Sequence, residues 1–96
     1  MAQLARFDVA QYGSALMVVI ESDLLPADAA VVVIPLLPDY PAVRHLNPEV
    51  VHEGCSLVLA TRLIAAVRRN SLRRVGNVDN QADCIIRAVD VLMSGV

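Results

Sequence analysis

His45 and His52 are the only side chains of this 96-residue sequence that titrate near neutral pH. Acid-base or nucleophilic catalysis needs such a base within reach of a nucleophile, and the candidate nucleophiles are Ser22 and Cys55. Ser22, Asp23 and His52 have the residue types of a hydrolase triad. No G-x-S-x-G turn surrounds Ser22, however, and on a strand its neighbour Asp23 would point to the opposite face. His52 follows Val50 and Val51 and reads as a hydrogen-bonded structural residue. Cys55, beside Gly54, has no basic neighbour to lower its pKa and reads as inert.

Two cysteines without a CxxC or a Cys/His cluster make neither a disulfide framework nor a zinc site, so both read as reduced and buried. The glycines Gly13, Gly54, Gly76 and Gly95 stand isolated and offer no phosphate-binding loop. These residues imply no catalytic site and no cofactor.

Charge is distributed unevenly. Arg62, Arg68, Arg69, Arg73 and Arg74 fall in one acid-free stretch, while acids prevail before residue 54 and the formal net charge is −2. Such a run is either a solvated face or a patch that attracts an acidic partner. A nucleic-acid binder would be basic overall, with aromatics beside the arginines, and this sequence has neither. The longest apolar run, residues 29 to 37, is interrupted by Pro35 and is too short to span a membrane, and residues 1 to 6 lack signal-peptide character. A cytoplasmic location is expected.

The elements that must position these residues fit one domain over residues 1–96. The 56% apolar content comes with only three aromatics, so the core must be aliphatic. This is more apolar surface than so small a globule hides, which points to a homodimer. A hairpin is expected from Phe7 through the turn at residues 11 to 14 into the apolar run 15 to 20, which reads as a central strand. A third strand runs from Ala30 to Ile34 and is ended by Pro35. Residues 37 to 49, with Pro38, Pro41 and Pro48, read as an irregular connection. Val50–His52 and Leu57–Leu59 form a second hairpin around Gly54. One helical turn is expected at Leu63–Val67 and a last strand at Leu72–Val75. The chain closes with a helix capped by Asp79 or Asn80, with apolar positions Ile85, Ile86, Val89, Leu92 and Met93 and an Asp83–Arg87 pair.

Four short motifs in this order resemble the CcdB family of bacterial toxins. They are Ser22-Asp23-Leu24-Leu25, Val33-Ile34-Pro35-Leu36, Pro48 with Val50-Val51-His52 and Gly54, and the terminal helix with Ile85, Ala88, Leu92-Met93 and Gly95-Val96. The resemblance implies a mainly β fold with a C-terminal α-helix, an SH3-like small barrel of the CcdB, Kid and MazF toxin type, assembled as a dimer. It implies a toxin of a toxin-antitoxin pair that binds the A subunit of DNA gyrase, traps the cleaved-DNA state, and is removed by an antitoxin. The target-contacting positions correspond to Ser22, Leu24, Leu25, Asp90, Ser94, Gly95 and Val96. In a toxin of this kind the arginine run Arg62, Arg68, Arg69, Arg73 and Arg74 is a candidate surface for an acidic antitoxin segment.

The sequence departs from the family at its end. Gyrase poisons of this type finish in Trp-Gly-Ile, where the indole stacks on a target arginine, whereas here Ser94-Gly95-Val96 stand. A buried Trp anchor commonly contributes about 2 kcal/mol or more to an interface, and serine supplies no such anchor. Asp90 stands where the family prefers Asn. Two alternatives follow: a ribonuclease on the same fold, suggested by the arginine run, or a non-toxic member that still binds antitoxin.

Overall fold

The computed structural model describes residues 3–95. Strands β1 (Asp8–Tyr12) and β2 (Ala15–Val19) form the first hairpin, turning at Gly13, whose φ of 60° suits glycine. β2 lies between β1 and β3 (Ala30–Leu37), the central place expected for a strand that is apolar on both faces. β4 (Glu49–His52) and β5 (Cys55–Leu59) form the second hairpin. Its turn is only Glu53-Gly54, both at positive φ, the backbone that matches strand twist in a two-residue loop.

β3 does not stop at Pro35 as expected; it continues to Leu37. β6 (Ala65–Arg68) pairs with Ala30–Val33, and β5 pairs with Leu36 and Leu37. The Pro35 carbonyl accepts the Ala60 N–H at 2.9 Å, so the missing proline N–H faces the gap between these two partner strands. Proline costs no ladder bond there.

The helical turn expected at residues 63 to 67 is also corrected. A 3-10 turn occupies Thr61–Leu63, and Ala65–Arg68 is strand β6, because the open edge of β3 offers four residues of pairing. β7 (Arg73–Asn77) pairs with β1, one to two residues later than the strand expected at 72 to 75.

The sheet order is β4-β5-β3-β2-β1-β7, with β6 beside β3. No ladder joins β4 to β7 among the described residues; side chains close this seam instead. The Gln81 side chain donates to the Val51 carbonyl and accepts the Val51 N–H, both at 2.8 Å, occupying the edge of β4 as a neighbouring strand would. The buried ring of His52, on β4, packs against Gly76 of β7. His52 is thus a structural residue, as the sequence implied.

One core cluster joins Phe7, Val9, Val18, Ile34, Leu36, Val50, Leu59 and Val78 to Ile85 and Ala88 of helix α1 (Ala82–Ser94). Full burial of a side chain such as Ile85 contributes about 2 kcal/mol. The alternate residues Ala10, Val19, Val31 and Val33 form a second cluster with Leu72, so the central strands are covered on both faces.

Candidate target-binding surface

Helix α1 projects one candidate segment. It is preceded by a 3-10 turn at Asp79–Gln81, and neither Asp79 nor Asn80 caps it. Asn77 Oδ1 accepts the Asp79 N–H at 2.8 Å, so the local turn that opens this region starts two residues before the expected cap. Asp83 still lies in the first turn of the helix, where a carboxylate complements the dipole. Within one chain only part of the apolar stripe is covered. Ile85 and Ala88 are buried, and Val89 and Leu92 half-buried, whereas Ile86 is exposed and Met93 is 77% exposed. The Asp83–Arg87 pair does not form; Arg87 Nη1 instead lies 3.4 Å from Nδ1 of His45 in the connecting loop.

The helix ends on Gly95, in the left-handed conformation at φ 75°, whose N–H donates to the Val91 carbonyl at 2.7 Å. Ser94 and Gly95 are exposed, and the Ser94 hydroxyl turns back to donate to the Asp90 carbonyl at 2.6 Å. Asp90 is exposed on the outer face. Val96 lies outside the described residues.

The second candidate segment leaves β2. Ser22 Oγ accepts the Leu24 N–H at 3.1 Å and the Ser22 carbonyl accepts the Leu25 N–H, a tight turn that pushes both leucines outward. Leu24 is 94% and Leu25 57% exposed. Asp23 Oδ1 accepts the Arg6 N–H at 2.8 Å, tethering the turn to the N-terminal segment. Ser22 and Asp23 are therefore engaged with backbone donors, and His52 is paired with Glu53 at 2.9 Å, so no triad assembles. One cavity borders this turn, and another, lined by Arg62, Leu92 and Gly95, borders the helix end.

The arginine run does not form one patch. Arg62 lines a cavity with Leu92 and Gly95 at the helix end, and Arg68 is exposed on β6. Arg73 Nη2 donates to Gln11 Oε1, and Arg74 Nε lies 3.1 Å from the buried Asp8 carboxylate. Arg69 is turned inward and only 7% exposed, with its Nε donating to the Asp28 carbonyl. Its partners lie about forty residues earlier in sequence, so the run alone gave no signal of this.

Cys55 is exposed, contrary to expectation, because it is the first residue after a two-residue turn at the sheet rim. Cys84 is half-buried, and desolvation raises its thiol pKa. Among the described residues no group of three His, Cys, Asp or Glu side chains could hold a metal ion, and no helix is long and apolar enough to cross a membrane.

The family model described as CcdB protein matches residues 6–95. The chain belongs to the CcdB family. Its members are the toxin components of toxin-antitoxin pairs, and the mainly β small barrel with a C-terminal helix is the fold expected from that resemblance. No curated protein sequence matches the chain. The CcdB match spans every element described above, including both candidate segments and all five arginines of the run.

Proposed function

We propose that this CcdB-family chain is a toxin that acts by binding the A subunit of DNA gyrase and is neutralised by a cognate antitoxin. The observation that carries the reading is the outer end of α1, where Met93, Ser94 and Gly95 are all exposed and available to another macromolecule. The second contact is the Ser22-Leu24-Leu25 turn, whose leucines offset the cost of their exposure only when a partner covers them. Asp90 and Val96 complete the target-binding set by family resemblance.

A homodimer would present each of the two segments twice to the target. The exposed Tyr12, Val43, Val51, Leu63 and Ile86 provide apolar surface for such assembly. Arg62 and Arg68, exposed, are the members of the arginine run best placed to meet an acidic antitoxin segment, with Arg73 and Arg74 contributing from the β7 edge.

The test is a gyrase cleavage and supercoiling assay with purified protein. Trapped cleavage complex or blocked supercoiling at micromolar toxin is the expected result. Failure of both rejects gyrase as the target, and site-specific cuts in purified RNA would replace the binding mechanism with a ribonuclease.

A further inference from the structure

The turn at Ser22–Leu25 belongs to a connection, residues 21 to 29, that lies outside every strand ladder among the described residues. Packing does not hold it down. A cavity of about 380 Å³ lies beneath it, lined by Leu4, Val19, Leu25, Ala27 and Val31 with Arg69. A loop beside so much open space, with Leu24 in solvent and Leu25 at the cavity wall, needs other restraints to keep one conformation, since fixing each backbone residue costs about 1–2 kcal/mol.

Asp23 tethers its middle to the Arg6 N–H, and Arg69 supplies restraints at both ends of that connection. Its main-chain N–H donates to the Ala29 carbonyl at 2.8 Å and its Nε to the Asp28 carbonyl at 2.9 Å, fixing the far end. Its Nη2 lies 3.9 Å from Glu21 Oε2 at the near end, and Glu21 Oε1 accepts the Val32 N–H at 3.4 Å. Both side chains are largely buried, which shields the pair from solvent. Nε donates to the Asp28 carbonyl while Nη2 lies at ion-pair distance from Glu21, two positions set by one planar guanidinium that a lysine ammonium does not hold in the same fixed geometry.

We propose that Arg69 is a positioning residue, tying Glu21 to Asp28 so that Leu24 and Leu25 are presented to the target in one conformation. The role in target binding rests on the gyrase reading; the ordering of the loop does not. Arg69 thereby differs in role from the exposed arginines around it.

The test uses the full chain and the variants Arg69→Lys and Glu21→Gln, both close in size to the native side chains. Backbone order parameters of Leu24 and Leu25 are measured by NMR relaxation, beside the urea midpoint and affinity for gyrase. In each variant the order parameters at these residues should fall toward about 0.6 from rigid values near 0.85 while those of the strands stay rigid. Target affinity should drop about tenfold, equivalent to about 1.4 kcal/mol. The double variant should bind no more weakly than the worse single variant, because the two changes break one tie. Unchanged order parameters at Leu24 and Leu25 would overturn the proposal, as would a uniform loss of order that follows a lowered urea midpoint. If the native protein fails to bind gyrase while the variants still loosen the loop, the target assignment fails and the positioning role stands.

Discussion

The buried ring of His52 lies so close to Gly76 that a methyl group added at Gly76 would sit 2.8 Å from His52 Cε1. These residues belong to β4 and β7, the two ends of the strand order, so their contact helps close a barrel that no hydrogen-bond ladder closes among the described residues. His52 cannot swing away freely, because its Nε2 is held 2.9 Å from Glu53 and its ring is covered. Gly76→Ala should therefore destabilise the protein by about 1–3 kcal/mol through overpacking. Urea unfolding measures this, and the double variant Gly76→Ala with His52→Ala should recover part of the loss because the clash is removed.

Gln81 closes the same seam by hydrogen bonding. Its amide both donates to and accepts from the main chain of Val51. Gln81→Ala should cost about 1–2 kcal/mol, since two exchanged bonds at an exposed site contribute about 0.5–1.5 kcal/mol each. Gln81→Glu retains an acceptor for the Val51 N–H but, when ionised, turns an oxygen toward the Val51 carbonyl, so it should not restore native stability. Hydrogen exchange at the Val51 amide should accelerate in the alanine variant before exchange at the central strand β2 changes. Equal acceleration in both strands would show that the amide clasp contributes only to global stability.

The hairpins and the order of elements were legible because alternation, turn glycines and β-branched runs are local signals. What escaped the sequence depended on contacts between distant segments. Pro35 reads locally as a strand end, and only the change of partner from β6 to β5 makes it acceptable inside β3. Ile86 and Met93 fit a helical apolar stripe, yet the sheet is wide enough to cover only the face bearing Ile85 and Ala88. Arg69 stands in a charge run that reads as a solvated face or a patch for an acidic partner, and its burial follows from Glu21 and Asp28 across the fold. Of the candidate surface, the helix end and the exposed leucines were identifiable from the family motifs. The tie beneath those leucines was not.

The two thiols should differ in reactivity. Cys55 is exposed at the rim, whereas desolvation raises the pKa of Cys84, and its Sγ also lies 3.2 Å from the Gln81 carbonyl. A raised pKa leaves less thiolate at any given pH, and the thiolate is the reactive form. At pH 8 a thiol reagent should label Cys55 promptly, with Cys84 following slowly or only after urea is added. Mass spectrometry of the labelled peptides reads the order directly, and faster labelling of Cys84 would contradict its half-buried environment.

Ser94 provides the sharpest test of the helix end as a probe. The residue is exposed, and its hydroxyl is engaged with the Asp90 carbonyl of its own helix, so it presents little to a partner. Ser94→Trp replaces it with a large aromatic face that can stack on a cationic side chain, a contact that contributes about 0.5–2 kcal/mol. Folding stability should change by no more than about 0.5 kcal/mol, as is usual for an exposed site. Affinity for gyrase should rise about tenfold or more if the new ring is desolvated in a target pocket, since each 1.4 kcal/mol is a factor of ten. Isothermal titration of native and variant proteins against purified gyrase separates the outcomes. A gain confined to the variant identifies the native chain as a member whose end has lost its anchor; equal and tight binding by both places the decisive contacts at Leu24 and Leu25 instead.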